Sequence, residues 1–247
     1  MPRANRTFCP DQVWHITHRC HQRAFLLKFL RDRRRWRHWL FEARRRYGLS
    51  VLNYIVTSNH IHLLCADRGT NEISRSLQLI EGRVAQEFNE RKNRRGAFWE
   101  DRYQATAVQT DGHLARCITY IDLNMVRARV VRHPRDWEVC GFNEIQNAGK
   151  RKRVIDIATL MRLLKVDSRE SLIALQNRLL NDEIENSQRN SIWTESIAVG
   201  DAEYLQEIKC NLGPRGKYRN IESADGFRVL REFSGLYCTI SGNKLSD

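Results

Sequence analysis

Residues 49–66, LSVLNYIVTSNHIHLLCA, are two apolar, β-branched runs with only Ser58, Asn59 and His60 between them. So short a connection has room for a tight turn and nothing else. The runs therefore predict antiparallel strands over 49–57 and 61–66. The flanking segments narrow the choice further. VWHITHR at 13–19 alternates as a half-buried strand does. Residues 25–47 repeat Leu26, Leu27, Leu30, Trp36, Trp39, Leu40 and Ala43 at roughly helical spacing, and Gly48 is suited to stop that helix. Beyond the hairpin, Ile73, Leu77, Ile80, Val84 and Phe88 mark one face of a helix over 72–90. YQATAVQT at 103–110 reads as a fourth strand, and Asp111 can cap a helix from about 112 to 128. The order β-α-β-β-α-β is the ferredoxin-like pattern of an α+β protein, here with one added helix.

The character changes after about residue 145. NAGKRKR at 147–153 is polar and basic, like a linker, and 155–165, 168–185 and 201–211 look helical. The expected organisation is a domain over 1–150 followed by a mostly helical C-terminal extension over 151–247. The 247 residues are enough to bury a real core in such an arrangement. No apolar run is long enough for a membrane span, and the first residues lack the apolar stretch of a secretory signal, so a cytoplasmic protein is expected. The seven cysteines contain no CxxC pair, which predicts reduced and mostly buried thiols.

Charge distribution bears on partners. Of a net charge of +13, residues 1–50 carry +10, residues 51–150 carry +2 and the remainder +1. So uneven a distribution points to a polyanion partner, nucleic acid or a membrane surface. The basic residues are 34 Arg and only 8 Lys. That bias favours phosphate, because the guanidinium fork meets its oxygens bidentately. The densest run is Arg31, Arg33, Arg34, Arg35 and Arg37, then Arg44, Arg45 and Arg46, on the first helix. It is either a solvated face or a phosphate-binding one; Trp36 and Trp39 interleave and can stack on bases or pack inward. Arg91, Lys92, Arg94 and Arg95, beside Phe98 and Trp99, form a second candidate patch, and Arg3 and Arg6 a short arm.

Two constellations could carry chemistry. His60 and His62 are two apart on a strand, so their imidazoles share a face while Ile61 points the other way. They are either ordinary strand histidines or a pair able to share a divalent metal. Tyr120 and Asn124 are four apart and share a helix face. They are a half-buried aromatic and a surface amide, or a phenol able to attack phosphorus beside an amide oxygen that completes a metal site. His15, His18 and His21 do not make a three-histidine site, because His18 faces away from the other two. His15 can still lie near the catalytic face, since strands one and three are neighbours in this fold. His113 is an outside candidate, seven residues before Tyr120 on about the same helix face.

Taken in order, VWHITHR, YIVTSNHIHLL, GAFWEDRYQA and YIDLNMVRARVV resemble the single-tyrosine HUH transposases, closest to their REP-associated group. The resemblance covers about residues 10–145. It departs at Met125, where many relatives carry proline, and only VGDAEYLQEIKCNLG at 199–213 resembles the tails of longer relatives. The resemblance implies that the added helix carries Tyr120 as catalytic nucleophile. His60 and His62 would hold Mg²⁺ or Mn²⁺ with Asn124 as third ligand, and Mn²⁺ suits this mixture of donors. The partner would be single-stranded or hairpin DNA, such as repetitive extragenic palindromes, cut and rejoined through a 5′-phosphotyrosine. A non-catalytic DNA- or RNA-binding regulator on the same fold is the alternative. A metal hydrolase of another class is a third reading, without an obvious carboxylate near the motif. Monomer and homodimer remain open.

Overall fold

The computed structural model describes residues 10–110, 112–147, 153–184 and 191–232. Arg3 and Arg6, the capping Asp111, and most of the expected linker (148–152) lie outside them.

The first half is the expected α+β unit: β1 (Val13–Arg19), α1 (Leu30–Tyr47), β2 (Ser50–Val56), β3 (His60–Ala66), α2 (Glu72–Arg91) and β4 (Gln104–Val108). β1 pairs antiparallel with both β3 and β4, and β2 with β3, which gives the ferredoxin-like order β2-β3-β1-β4. α1 starts later than its apolar spacing predicts. Residues 21–29 form a short 3-10 helix (His21–Arg23) and a loop instead, with Gln22 and Arg23 at positive φ, and the Leu27 amide bonds the Ser58 carbonyl (2.9 Å). Tertiary contact with the β2–β3 turn thus overrides helical spacing there. α1 ends as expected at Gly48, whose φ of 72° lets its N–H reach the Arg44 carbonyl.

Strand alternation gives the sheet two distinct faces. Tyr54 points to α1, where its ring meets Trp36 and its hydroxyl accepts from Arg37 Nε (2.8 Å). His18 points to α2, where its Nδ1 lies 2.9 Å from Glu81. His15, Thr17, His62, Asn53 and Thr106 have the opposite parity, and the pairing register places them on the other face. That face is covered by α3 (Gly112–Asp122), which runs on past Leu123 into α4 (Asn124–Arg127). The expected single helix is interrupted at Leu123, where ψ is 1°.

Past residue 140 the chain first closes an edge. α5 (Gly141–Gln146) and residues 153–156 lie along β2, with bridges at Ile55–Cys140 and Val51–Ile155. Every residue of β2 is buried as a result, and an open strand edge is removed. α6 (Ile157–Leu164) and α7 (Arg169–Ile184) follow. α7 joins a buried polar junction: Asp122 of α3 accepts from Asn53 of β2 (3.0 Å) and from Gln176 (2.8 Å). Burial pushes the Asp122 carboxyl up to about 7, against the pull of those two amides. The extension is not helical throughout. After α8 (Ile192–Glu195), β5 (Ala198–Val199) pairs parallel with β4; α9 (Ala202–Asn211) then leads to the hairpin of β6 (Arg219–Ala224) and β7 (Phe227–Glu232), so the sheet runs on as β5-β7-β6. Two-residue β5 and the largely exposed β6 carry too few alternating apolar positions to be read from sequence. Among the described residues Cys20, Cys65, Cys117 and Cys140 are buried thiols and Cys210 is exposed. No helix there is long and apolar enough to cross a membrane.

Candidate functional site

A cleft of about 640 Å³ opens on the α3 face of the sheet, and it contains all four residues of the two chemical constellations: His60, His62, Tyr120 and Asn124. β3 supplies the histidines and buries Ile61 on the opposite face. The Tyr120 ring stands 5.8 Å from that of His62 at a near-perpendicular 84°. Asn124 brings its amide nitrogen to 2.9 Å from Nε2 of His62.

The turn before β3 orients His60. Asn59 donates through Nδ2 to the Arg23 carbonyl (3.1 Å), so its oxygen is the acceptor that faces His60 Nδ1 (2.8 Å). Thr57 Oγ1 lies 2.9 Å from the same nitrogen and itself donates to the His60 carbonyl. Both neighbours call for a hydrogen on Nδ1, which leaves the lone pair on Nε2. His62 is 2% exposed. Burial first, then the neighbouring His60, His15 and Arg127, holds its pKa well below the usual histidine range, so the ring is neutral at pH 7. Its Nδ1 is 2.9 Å from Nε2 of His15, whose Nδ1 in turn meets the Trp193 carbonyl at 2.8 Å.

Two imidazoles and an amide fit a borderline divalent cation. A carboxamide can present oxygen instead of nitrogen by a half-turn about its terminal torsion. Among the described residues no three His, Cys, Asp or Glu side chains gather into a metal cluster. A cation here would thus draw on His60, His62, the Asn124 amide and oxygens of a bound substrate.

The cleft has its own cations: Arg19, Arg23, Arg102 and Arg127 line it, along with Glu100, Asp101 and Glu195. Arg127 is the most intimate. Its guanidinium sits 4.2 Å from the Tyr120 ring centroid, and it donates to the Tyr120 carbonyl. Sequence reasoning overlooked these residues, along with Thr57, Trp193 and Glu195. Two signals were legible: Arg19 continues the parity of His15 and Thr17 along β1, and Arg127 is seven residues from Tyr120, two turns of helix. Nothing local marks Trp193.

The basic residues that sequence reasoning favoured lie elsewhere. α1 and α2 occupy the sheet face opposite His62, and many of their arginines have protein partners. Arg34 pairs with Glu138, Arg35 with Glu87, Arg37 with Tyr54 and Glu144, and Arg45 and Arg46 with Glu42. Arg33 donates to the carbonyls of Leu27 and Lys28, and Arg44 to that of Arg153. Arg31 lines a groove between α1 and α2. Trp36 and Trp39 pack inward. In the second patch Arg91 pairs with Asp32, Lys92 lies over Phe29, and Arg94 clasps its own loop through the Gly96 and Ala97 carbonyls. Arg95 lies in that same loop. Phe98 is buried and Trp99 stacks on His18 (4.3 Å), so neither is a platform for bases. Of the other histidines, His15 reaches the site as expected, whereas His113 turns toward Phe227 (6.0 Å).

Residues 10–124 match the family model of IS200-like transposases. Among solved structures, a REP-associated tyrosine transposase bound to a REP hairpin aligns with a TM-score of 0.50 at 19% identity, over 59% of this chain and 86% of the other. A protein from Deinococcus radiodurans provisionally named a transposase aligns with a TM-score of 0.33 at 15% identity, over 42% and 83%. None of the curated proteins matches the chain.

Proposed function

We propose, for a chain whose residues 10–124 match the IS200-like transposases, that it cuts and rejoins single-stranded or hairpin DNA through Tyr120, with a divalent metal at His60, His62 and Asn124. The family match supports transposase-like DNA processing as such; the chemical detail is our reading. The observation that carries it is the meeting of the Tyr120 ring with that of His62 across one cleft, 5.8 Å between centroids.

Tyr120 Oη attacks the scissile phosphorus, forming the O–P bond of a 5′-phosphotyrosine. The P–O3′ bond breaks, and the proton lost by the phenol is balanced by the one gained at the 3′-oxygen. The bond energy stays in the phosphodiester, so the 3′-hydroxyl of the same or another strand can reverse the step without an external energy source. Mg²⁺ or Mn²⁺, when bound, would supply Lewis-acid polarisation of the phosphate. Arg127 holds positive charge 4.2 Å from the Tyr120 ring centroid, where it can offset the charge of the scissile phosphate. Arg19, Arg23 and Arg102 at the cleft wall take the strand's neighbouring phosphates. The α1 arginines and the 91–95 loop are proposed as outer contacts to flanking DNA, because the sheet stands between α1 and the cleft; Arg3 and Arg6, outside the described residues, are proposed as DNA contacts on their charge alone. Hairpin DNA, the ligand of the structural neighbour, is the partner to try first.

A second reading, a non-catalytic nucleic-acid-binding regulator, is favoured by two features. Tyr120 is only 6% exposed, and the Asn124 amide already satisfies His62. The two readings part on incubation of labelled single-stranded repeats with Mn²⁺ or Mg²⁺. A denaturation-resistant protein–DNA band that disappears in Tyr120→Phe, with binding retained, supports the tyrosine reading. A metal-independent footprint without cleavage of any hairpin supports the regulator.

A further inference from the structure

We infer that the segment after residue 150 completes the active site from behind: the Trp193 carbonyl fixes His15, and His15 fixes His62 with its Nε2 lone pair toward the cleft. His15 is thus a positioning residue, and Trp193 acts through its backbone. The inference rests on the reading of His62 as a metal ligand.

A carbonyl oxygen only accepts, so the His15 nitrogen 2.8 Å from the Trp193 oxygen, Nδ1, carries a hydrogen. His15 is fully buried, with the Trp193 carbonyl at one ring nitrogen and His62 at the other. So enclosed a ring takes its uncharged form, and its one hydrogen is already placed. Its Nε2 has only a lone pair, so Nδ1 of His62, 2.9 Å away, supplies the hydrogen between the two rings. The Asn124 amide nitrogen, 2.9 Å from Nε2 of His62, donates to it, so that Nε2 carries the lone pair. The reverse polarity would set a lone pair of His15 against those of the carbonyl. The ring planes agree within 10° with centroids 5.0 Å apart, the geometry of an in-plane N–H···N bond.

The far end of this relay is anchored. Trp193 is buried, with its ring between those of Phe227 (5.4 Å) and Tyr120 (6.3 Å). Thr106 of β4 donates to the Ser196 carbonyl (2.7 Å), and the Ile197 amide to that of Leu230 (2.8 Å). The carbonyl that sets the tautomer is thus held by docking of α8 and β5 on the sheet. A metal-binding imidazole is commonly oriented by what its other nitrogen touches. Here that partner is a second histidine, and the element behind it comes from the extension.

The test uses the full-length protein labelled with ¹⁵N-histidine. Long-range ¹H–¹⁵N correlation of the metal-free protein at pH 7, with His62 assigned by comparison with His62→Gln, is expected to show the Nδ1–H tautomer. The Nε2–H tautomer overturns the inference whether or not the protein binds metal. Two variants read the consequence by Mn²⁺ titration followed by electron paramagnetic resonance. His15→Gln can still accept from His62 and donate to Trp193; His15→Leu can do neither. Mn²⁺ affinity is expected to fall about 10–100-fold in His15→Leu and only a few-fold in His15→Gln. Wild-type affinity in His15→Leu, or equal loss in both variants, overturns the inference. Should His15→Leu fail to fold by circular dichroism, the wild-type tautomer and the glutamine variant decide. A wild-type protein that shows the Nδ1–H tautomer yet binds no Mn²⁺ leaves the relay standing and removes the metal from the proposed function.

Discussion

The junction of Asp122, Asn53 and Gln176 makes a prediction whose sign and size follow from the structure. Asp122 is buried two residues after Tyr120 and ties the tyrosine's helix to β2 and α7. Its carboxyl is held near pH 7, whereas in the unfolded chain it titrates at its usual value near ~4. Between those values the native state keeps a proton that the unfolded state has lost. Stability therefore falls with rising pH by about 1.4 kcal/mol per unit, and the dependence stops above the native pKa. Across roughly three units the loss is on the order of 4 kcal/mol, or about 8–16 °C in Tm for a chain of this size. Asp122→Asn removes the titration. It also presents an N–H where an oxygen accepted, at a cost of about 1–3 kcal/mol. Thermal unfolding by circular dichroism at pH 4.5, 5.5, 6.5 and 7.5 should show the variant below wild type at acid pH and overtaking it toward neutrality. A gap in Tm that stays constant over this range would refute the account of a protonated buried carboxyl.

Gly141 packs where a Cβ would lie 2.0 Å from Asn53 Oδ1 and 3.0 Å from the Tyr54 amide nitrogen; Gly141→Ala should cost at least about 2 kcal/mol in urea unfolding through overpacking. Asn124→Ala should weaken Mn²⁺ binding by about tenfold or more while Tm holds, because the metal loses a donor and the core keeps its packing. Arg127→Ala should slow adduct formation at Tyr120 more than it weakens DNA binding, read by comparing single-turnover cleavage with filter binding. The triple variant Arg34→Ala, Arg45→Ala, Arg46→Ala should leave cleavage of a short oligonucleotide unchanged. If α1 touches flanking DNA, it should flatten the salt dependence of binding to a longer one by up to about 0.7 for each phosphate no longer neutralised.

Periodicity is a local property, and what it encodes was legible from sequence. The hairpin at 49–66, the two helices that flank it and the strands at either end gave the ferredoxin-like order, because period-two and period-3.6 patterns survive wherever one face is buried. The pairing of His60 with His62, and of Tyr120 with Asn124, followed from the same spacings. Tertiary contact decided the rest. The sequence could count arginines but not say which face of the sheet they occupy. The dense run on α1 lies opposite His62 and largely pairs with carboxylates, while the cleft is lined by Arg19, Arg23, Arg102 and Arg127, which are scattered along the sequence. Nor could any spacing announce that the Trp193 carbonyl would meet His15, 178 positions away. A backbone oxygen has no side-chain signature, and only the folding of the extension onto β4 brings it there.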